Sequence, residues 1–377
     1  MSETCTQVLI VGGGIVGLSA SLFLSSQGIK SLLVERHATT SIHPRARGVN
    51  VRTMELFREL GVDEAVREAG ASISASMGIY SGASLVEVIE PIKRKEHEGE
   101  RKPPFAKFLE NISPVKGIFV TQDMMEPALL SKARDRGGEL RFNTEYIKLE
   151  QNNRGVIATL RNRSSGSESV VEADYVIAAD GAGSQVRRQL GVTTTGAGSL
   201  GYLLNILFKA DLKSLVRGRE FSLCLIQQPE VRGLFASINN SDIWVFHLSY
   251  DPRKGEKIED FPPQRCKELI KAALGLTTVE IEIKSVLPWE PTVRVVEQLQ
   301  HGRIFLAGDA AHTMPPWGGQ GATTGIADVH NLAWKIAAVL NGLAPPALLA
   351  TYDDERLPIG RRVSEESGAS ADEYGLV

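Results

Sequence analysis

The chain has 377 residues, 42% hydrophobic and 23% charged, with a net charge of −3. That length holds two or three domains with a sizeable core, and the near-neutral balance excludes the strong basic field of a nucleic-acid binder. Three cysteines without a C-x-x-C (Cys5, Cys224, Cys266) argue against a disulfide framework or a structural zinc, so no metal is expected. The polar start Ser2-Glu3-Thr4 lacks the basic region and cleavage site of a signal peptide. No apolar run approaches the ~20 residues that span a bilayer, so the expectation is a cytoplasmic protein without a membrane partner. Residues 7–11 read as a buried strand, Gly12–Gly17 as a tight turn, the stretch to about Ser26 as a helix ended by Gly28, and Lys30–Glu35 as a second strand. This is the opening βαβ unit of a doubly wound sheet. A helix is predicted over 50–60, a solvated charged loop over 93–102 closed by Pro103-Pro104, and a helix over 123–136 ended by Gly137-Gly138. Strands are predicted near 140–149, 155–161 and 169–178. The stretch 200–287 changes character to short alternating or aromatic runs, an antiparallel sheet forming a second lobe. Near 303 the strand–loop–helix pattern returns, with helices over about 323–341 and 347–366.

Three motifs carry chemistry. Gly12-x-Gly14-x-x-Gly17 lies between a strand and a helix, with Glu35 at the end of the next strand. The first glycine makes the turn, the second admits a pyrophosphate, the third lets helix and strand pack, and Glu35 is placed to accept from ribose hydroxyls. An apolar strand then opens into Asp180-Gly181-x-x-Ser184-x-x-Arg187. A third strand ends in Gly308-Asp309, followed by Ala310-Ala311-His312-Thr313-Met314-Pro315-Pro316-Trp317-Gly318-Gly319-Gln320-Gly321 and a helix. A carboxylate on a strand end can accept from ribityl hydroxyls, and a helix N-terminus can aim N–H donors at the electron-rich edge of an isoalloxazine. Arg47 and Arg52 read either as nucleotide contacts or as surface charges. His312 reads as loop packing, because no Ser or Asp partner is evident. Trp289, Trp317 and Trp334 read as core or substrate-lining, with Trp317, in the Pro/Gly loop, the one placed to lie beside such a ring system.

In this order and at these separations the motifs resemble the group A flavoprotein aromatic hydroxylases, the para-hydroxybenzoate hydroxylase-like monooxygenases, from residue 7 to about 366. His43-Pro44-Arg45-Ala46 followed by Asn50-x-Arg52-Thr53-x-Glu55 is similar to the subgroup acting on polyketide and phenolic substrates. The resemblance implies an α/β fold: a discontinuous Rossmann-like FAD-binding domain (1–75, 103–190, 288–377) with an interleaved α+β substrate domain built on an antiparallel sheet (76–102, 191–287). It implies that Gly12, Gly14 and Gly17, with Ile15 and Val16, hold the FAD pyrophosphate. Glu35 would hold the adenosine ribose, with Arg36 beside it in the cofactor site. Arg45 would contact the ribityl–pyrophosphate section, Gln122 would add a polar contact, and Asp309 would bind the ribityl chain. Asp180 and Gly181 would touch both FAD and the incoming nicotinamide nucleotide. Pro316 would place its carbonyl near flavin and substrate. Gly318, Gly319 and Gly321 would shape the oxygen-reaction face, with Pro316, Gly318 and Gly319 counted as catalytic, and Ala322 and Thr323 would complete the cofactor site. The family usually has Asn where this chain has Thr323, so either the backbone N–H is the relevant contact or the flavin's electronics differ.

The implied activity is NAD(P)H- and O2-dependent hydroxylation of a phenolic or polyketide-type aromatic substrate through a flavin C4a-hydroperoxide, by a monomer or homodimer. Baeyer–Villiger-type oxygenation, a non-oxygenating FAD reductase and a flavin-binding module are the alternatives on the same fold. The Trp-x-Trp-x-Ile-Pro signature of halogenases and a second nucleotide motif are both missing. Members of the subgroup often continue into a thioredoxin-like domain, whereas residue 377 falls about 50 residues after Gly325, the length of a compact member or a truncated one.

Overall fold

A computed structural model describes residues 3–73, 78–92 and 112–372. The charged run 93–102 lies outside the described residues, as does the side chain of Trp317. The chain divides into two compact units: Met1–Gly70 with Val115–Gly198 and Val293–Ala369, and Ala71–Pro114 with Ser199–Thr292 and Ser370–Val377.

The first unit is a doubly wound sheet. Its strands β1 (Glu3–Val11), β2 (Ser31–Val34), β3 (Glu139–Arg141), β4 (Thr144–Gln151), β5 (Val156–Asn162) and β6 (Glu168–Ala178) are joined later in the chain by β7 (Gln300–His301) and β8 (Ile304–Leu306). The order is β7-β8-β6-β1-β2-β3, with β5 and β4 added antiparallel beside β6. Val8–Ile10, Leu32, Leu33, Val176–Ala178 and Ile304–Leu306 are fully buried, as expected of parallel strands covered on both faces. Register aligns the carboxyl ends of four parallel strands: Val11 lies opposite Val34 and Ala178, and Ala178 opposite Leu306. Stretches more than 120 residues apart therefore end in one row, where a doubly wound sheet binds its ligand.

Helix α1 (Ile15–Ser26) is buried along most of its length between α4 (Gln122–Asp135) and α6 (Gln320–Leu340). Helix α2 (Val51–Glu59) starts where the Asn50 side chain accepts from Thr53 N at 2.9 Å, an N-cap contributing about 1 kcal/mol. Helices α3 (Asp63–Ala69), α5 (Gln185–Gln189) and α7 (Thr351–Ala369) belong to the same unit. The strand expected over 140–149 is two strands, because Asn143 takes a left-handed turn (φ 55°) and gives β3 and β4 different neighbours.

The second unit carries a six-stranded sheet in the order Glu282–Trp289, Leu203–Lys209, Ile243–Ser249, Val231–Ser237, Leu223–Gln228, Ile79–Gly82. It is antiparallel as expected except at Ile79–Gly82, which pairs parallel with Leu223–Gln228. A helix absent from the sequence reading, Pro263–Leu274, packs Cys266, Ile270, Ala273 and Leu274 into the cluster with Phe208, Phe235, Trp244 and Phe246. Its signals were Pro at the start and Gly275, left-handed at φ 74°, at the end. The opposite face of the sheet holds Leu203 and Leu234 with partly buried Leu223, Leu225 and Trp289.

Candidate cofactor site

The turn after β1 shows what each glycine is for. Gly12 has φ 109°, and a Cβ there would sit 2.3 Å from Ala179 O; one on Gly17 would sit 1.9 Å from Gly12 O. Those two glycines let the turn close against β6 and α1. At Gly14 the nearest atom to a Cβ is Glu126 Oε1 at 3.5 Å, so this glycine faces space. Gly14 is also the N-cap of α1 and offers no side-chain cap. The Glu35 carboxylate accepts from Gly13 N at 2.7 Å and from His37 N at 2.8 Å, which pins it beside the turn. Arg36 is exposed. Ile15 is 5% exposed, and the Val16 side chain wedges between α1 and the later motif, 2.9 Å from a Cβ on Gly308 and 2.6 Å from one on Gly325. For both residues only the backbone can meet an anion.

The loop before α2 pairs with the segment before α4: Gln122 N donates to Arg45 O (2.9 Å), Val120 N to Arg47 O (3.2 Å) and Val49 N to Ile118 O (2.9 Å). This ladder sets Arg45 beside Gln122, 77 positions away. Arg45 is exposed; Arg47 is half-buried, and burial pushes its guanidinium down to about 10. Arg52 pairs with Glu55 at 2.8 Å on the exposed face of α2. The ladder also exposes a residue the sequence reading missed. Glu126, one turn into α4 and 1% exposed, accepts from Ile15 N (3.1 Å), Ser41 N (2.7 Å) and Gln122 Nε2 (2.6 Å). Its only sequence signal was the Gln122-x-x-x-Glu126 spacing.

Asp180 and Ser184 both cap α5: Asp180 Oδ2 accepts from Gln185 N (2.7 Å) and Val186 N (3.2 Å), and Ser184 Oγ from Arg187 N (3.0 Å). Gly181 turns at φ 81°, and Asp180 Oδ1 is buried without a hydrogen bond. Arg187 donates to Ala182 O (2.6 Å) and Ala310 O (2.8 Å). The motif is thus a bracket that ties the second strand end to the Gly308–Ala310 turn.

That turn presents Asp309 outward, exposed. The protein mass around it still pushes its carboxyl above the ordinary range, against the pull of His312 and Arg45. Beneath it lies a buried ion cluster. Asp328, 0% exposed, bonds His312 Nε2 (2.8 Å), Gly308 N (3.1 Å) and Arg356 Nε (2.8 Å). His312 therefore does have an acid partner, 16 residues on, which corrects the sequence reading. Burial lowers the imidazole's pKa, but Asp328 and Asp309 outweigh it and the group is held protonated above its usual value. Burial likewise opposes Asp328, and His312 and Arg356 win, holding it below the carboxylate range.

The Pro316 carbonyl accepts from Gly319 N at 2.9 Å, closing a turn with Gly318 at φ 67° and Gly319 at φ 64°. A Cβ on Gly319 or Gly321 would meet nothing within 4 Å; at Gly319 the demand is for backbone hand, not room. Helix α6 then starts without a side-chain cap, leaving the N–H groups of Gln320, Gly321 and Ala322 without intrahelical acceptors. Thr323 Oγ1 donates back to Gln320 O at 3.0 Å and the residue is 6% exposed, so its side chain is turned into the helix. Trp334, 42% exposed on α6, is not core.

Open Gly14, pinned Glu35, outward Asp309, the unbonded Asp180 Oδ1 and the uncapped α6 fit an elongated dinucleotide with hydroxyls between an anionic and an electron-rich end. The FAD-binding domain profile matches residues 5–367. The chain belongs to the FAD-binding domain family. A Streptomyces halstedii protein carrying the polyketide hydroxylase name is 43% identical over 97% of this chain, which spans 65% of that relative's length. Tetracenomycin A2 monooxygenase-dioxygenase of Streptomyces glaucescens is 39% identical, covering 97% of this chain and 68% of its own. Among solved structures, aklavinone-11 hydroxylase with FAD and aklavinone superposes with a TM-score of 0.86 at 36% identity, covering 97% of this chain and 68% of its own.

Asp309→Ala is expected to raise the FAD dissociation constant about 10- to 100-fold, the loss of a charge-assisted hydrogen bond, with thermal stability unchanged. Fluorescence titration with FAD checks the first and a melting curve the second.

Proposed function

We propose that this FAD-binding protein is a monooxygenase that uses NAD(P)H and O2 to hydroxylate an aromatic substrate of phenolic or polyketide type. The observation that carries the reading is the row of four strand ends bearing Glu35, Gly12–Gly17, Asp180 and Asp309, in a chain similar to relatives named polyketide hydroxylase and tetracenomycin A2 monooxygenase-dioxygenase. FAD, when bound, supplies the redox chemistry. In this reading Gly14 and the start of α1 hold the pyrophosphate, Glu35 the ribose, and Asp309 the ribityl chain, with Arg45 and Gln122 against the middle of the cofactor. Gln320, Gly321 and Ala322 aim N–H groups at the isoalloxazine, and Asp180 with Gly181 meets the nicotinamide nucleotide. Pro316, Gly318 and Gly319 shape the reacting face. The three cysteines are free thiols, which suits a cytoplasmic enzyme.

The second unit carries a polar pair on one sheet face. On the apolar sheet face with Leu203, Leu234 and Trp289, His247 Nδ1 donates to Asn205 Oδ1, and the imidazole lies 6.0 Å from the Trp289 ring. The test is NAD(P)H oxidation across a phenolic and polyketide panel, with mass spectrometry of product formed under 18O2. One labelled oxygen in a hydroxylated product is expected; oxidation without label in any product removes the oxygenase reading.

A further inference from the structure

Glu126 is a buried carboxylate that no part of the proposed chemistry uses. It joins three separate stretches of the first unit: Ile15 at the start of α1, Ser41 in the loop after β2, and Gln122 at the start of α4. Its Oε1 lies 3.5 Å from where a Cβ on Gly14 would be, against the glycine whose open face admits the pyrophosphate. A helix N-terminus that receives an anionic ligand is here already occupied on one side by a protein anion. Resting on the FAD-binding assignment, we propose that Glu126 is the positioning residue of the pyrophosphate site and that FAD binding places a proton from solvent on its carboxyl.

The physical reason is charge. A pyrophosphate dianion beside a buried carboxylate disfavours the ionised form. Protonation removes the repulsion and turns one carboxyl oxygen from acceptor into donor, the form compatible with an anionic neighbour. The carboxyl already sits above its ordinary range, first because of burial, with Glu35 adding to the shift and the three hydrogen bonds opposing it. Glu35 is the charged neighbour from the end of β2. Asp123 shares the helix, and the loop after β2 brings His37, held to Glu35, with His43 and Arg45 following Ser41. Charge from Glu126 alone is separated from these groups by substitution.

Binding of FAD to the apoprotein, followed by flavin fluorescence between pH 5.5 and 8.5, is expected to weaken with rising pH, by up to about tenfold per unit for one linked proton. Calorimetry in buffers of different ionisation enthalpy should show net proton uptake. Glu126→Gln should bind FAD with neither uptake nor slope. Glu126→Ala should bind more weakly at every pH, because Gln122 loses its acceptor. Absence of uptake in the unaltered protein overturns the proposal, as does uptake that persists in Glu126→Gln, which would move the titration to a histidine. If Glu126→Gln does not fold, Glu126→Asp takes its place, and an unmoved midpoint overturns the proposal. A protein that binds no FAD at any pH fails the cofactor assignment instead.

Discussion

Gly17→Ala is expected to abolish folding or FAD binding outright, while Gly14→Ala leaves a folded protein that binds FAD poorly. The two positions lie three residues apart in one motif, yet the structure separates them. A methyl on Gly17 would stand 1.9 Å from Gly12 O, backbone against backbone, and α1 cannot yield because it is buried between α4 and α6. Overpacking at such a contact costs about 3 kcal/mol or more. A methyl on Gly14 meets only Glu126 Oε1 at ordinary contact distance and occupies the space left for a ligand. Circular dichroism and melting separate the two outcomes. A Gly17→Ala protein with unaltered stability would mean that α1 packs differently against β1.

Asp328→Ala is expected to destabilise the protein by about 3–5 kcal/mol, the penalty for leaving buried cations without their partner. It should also loosen FAD, since Gly308 N loses its acceptor and the Asp309 turn loses its anchor. The pH dependence has a definite sign. His312 is raised above its ordinary 6.5, so its contribution is fully present below pH 6.5 and is lost as pH rises through the raised value. Asp328 is lowered below 3.8, so its contribution is present above pH 3.8 and is lost as pH falls through the depressed value. The stability difference between the unaltered protein and Asp328→Ala should therefore be largest between those limits and shrink on going alkaline. Denaturant melts at pH 6 and pH 9 measure it; a difference that grows with pH would show that His312 is buried neutral.

Much of this was legible along the chain, because the responsible interactions are local. The turn glycines, the strands they follow and the acids at the strand ends carry signals that span only a few residues, and the Gly12–Gly17 turn and the Asp180 cap lie where the sequence places them. The change from parallel to antiparallel sheet was readable from the change in apolar periodicity. What failed was either masked by weak pattern, as with the Pro263–Leu274 helix among short strand-like runs, or non-local. Nothing in Ala311-His312-Thr313 shows that Asp328 will lie beneath it, since the pairing depends on how α6 turns back under the Gly308 turn.

The sequence by itself therefore determined the chemistry available: which backbone turns are possible, which carboxylates end strands, and which cofactor family such a set can serve. Only the tertiary structure decided how those groups divide their labour. It turned Arg187 from a motif letter into a clamp on Ala310, spent one Asp180 oxygen on capping and left the other unbonded, and folded Thr323 inward. It also gathered Ile15, Ser41 and Gln122 onto Glu126. The physical reason is that burial and long-range hydrogen bonding set what a charge costs and whom it faces, and both depend on residues a hundred positions away.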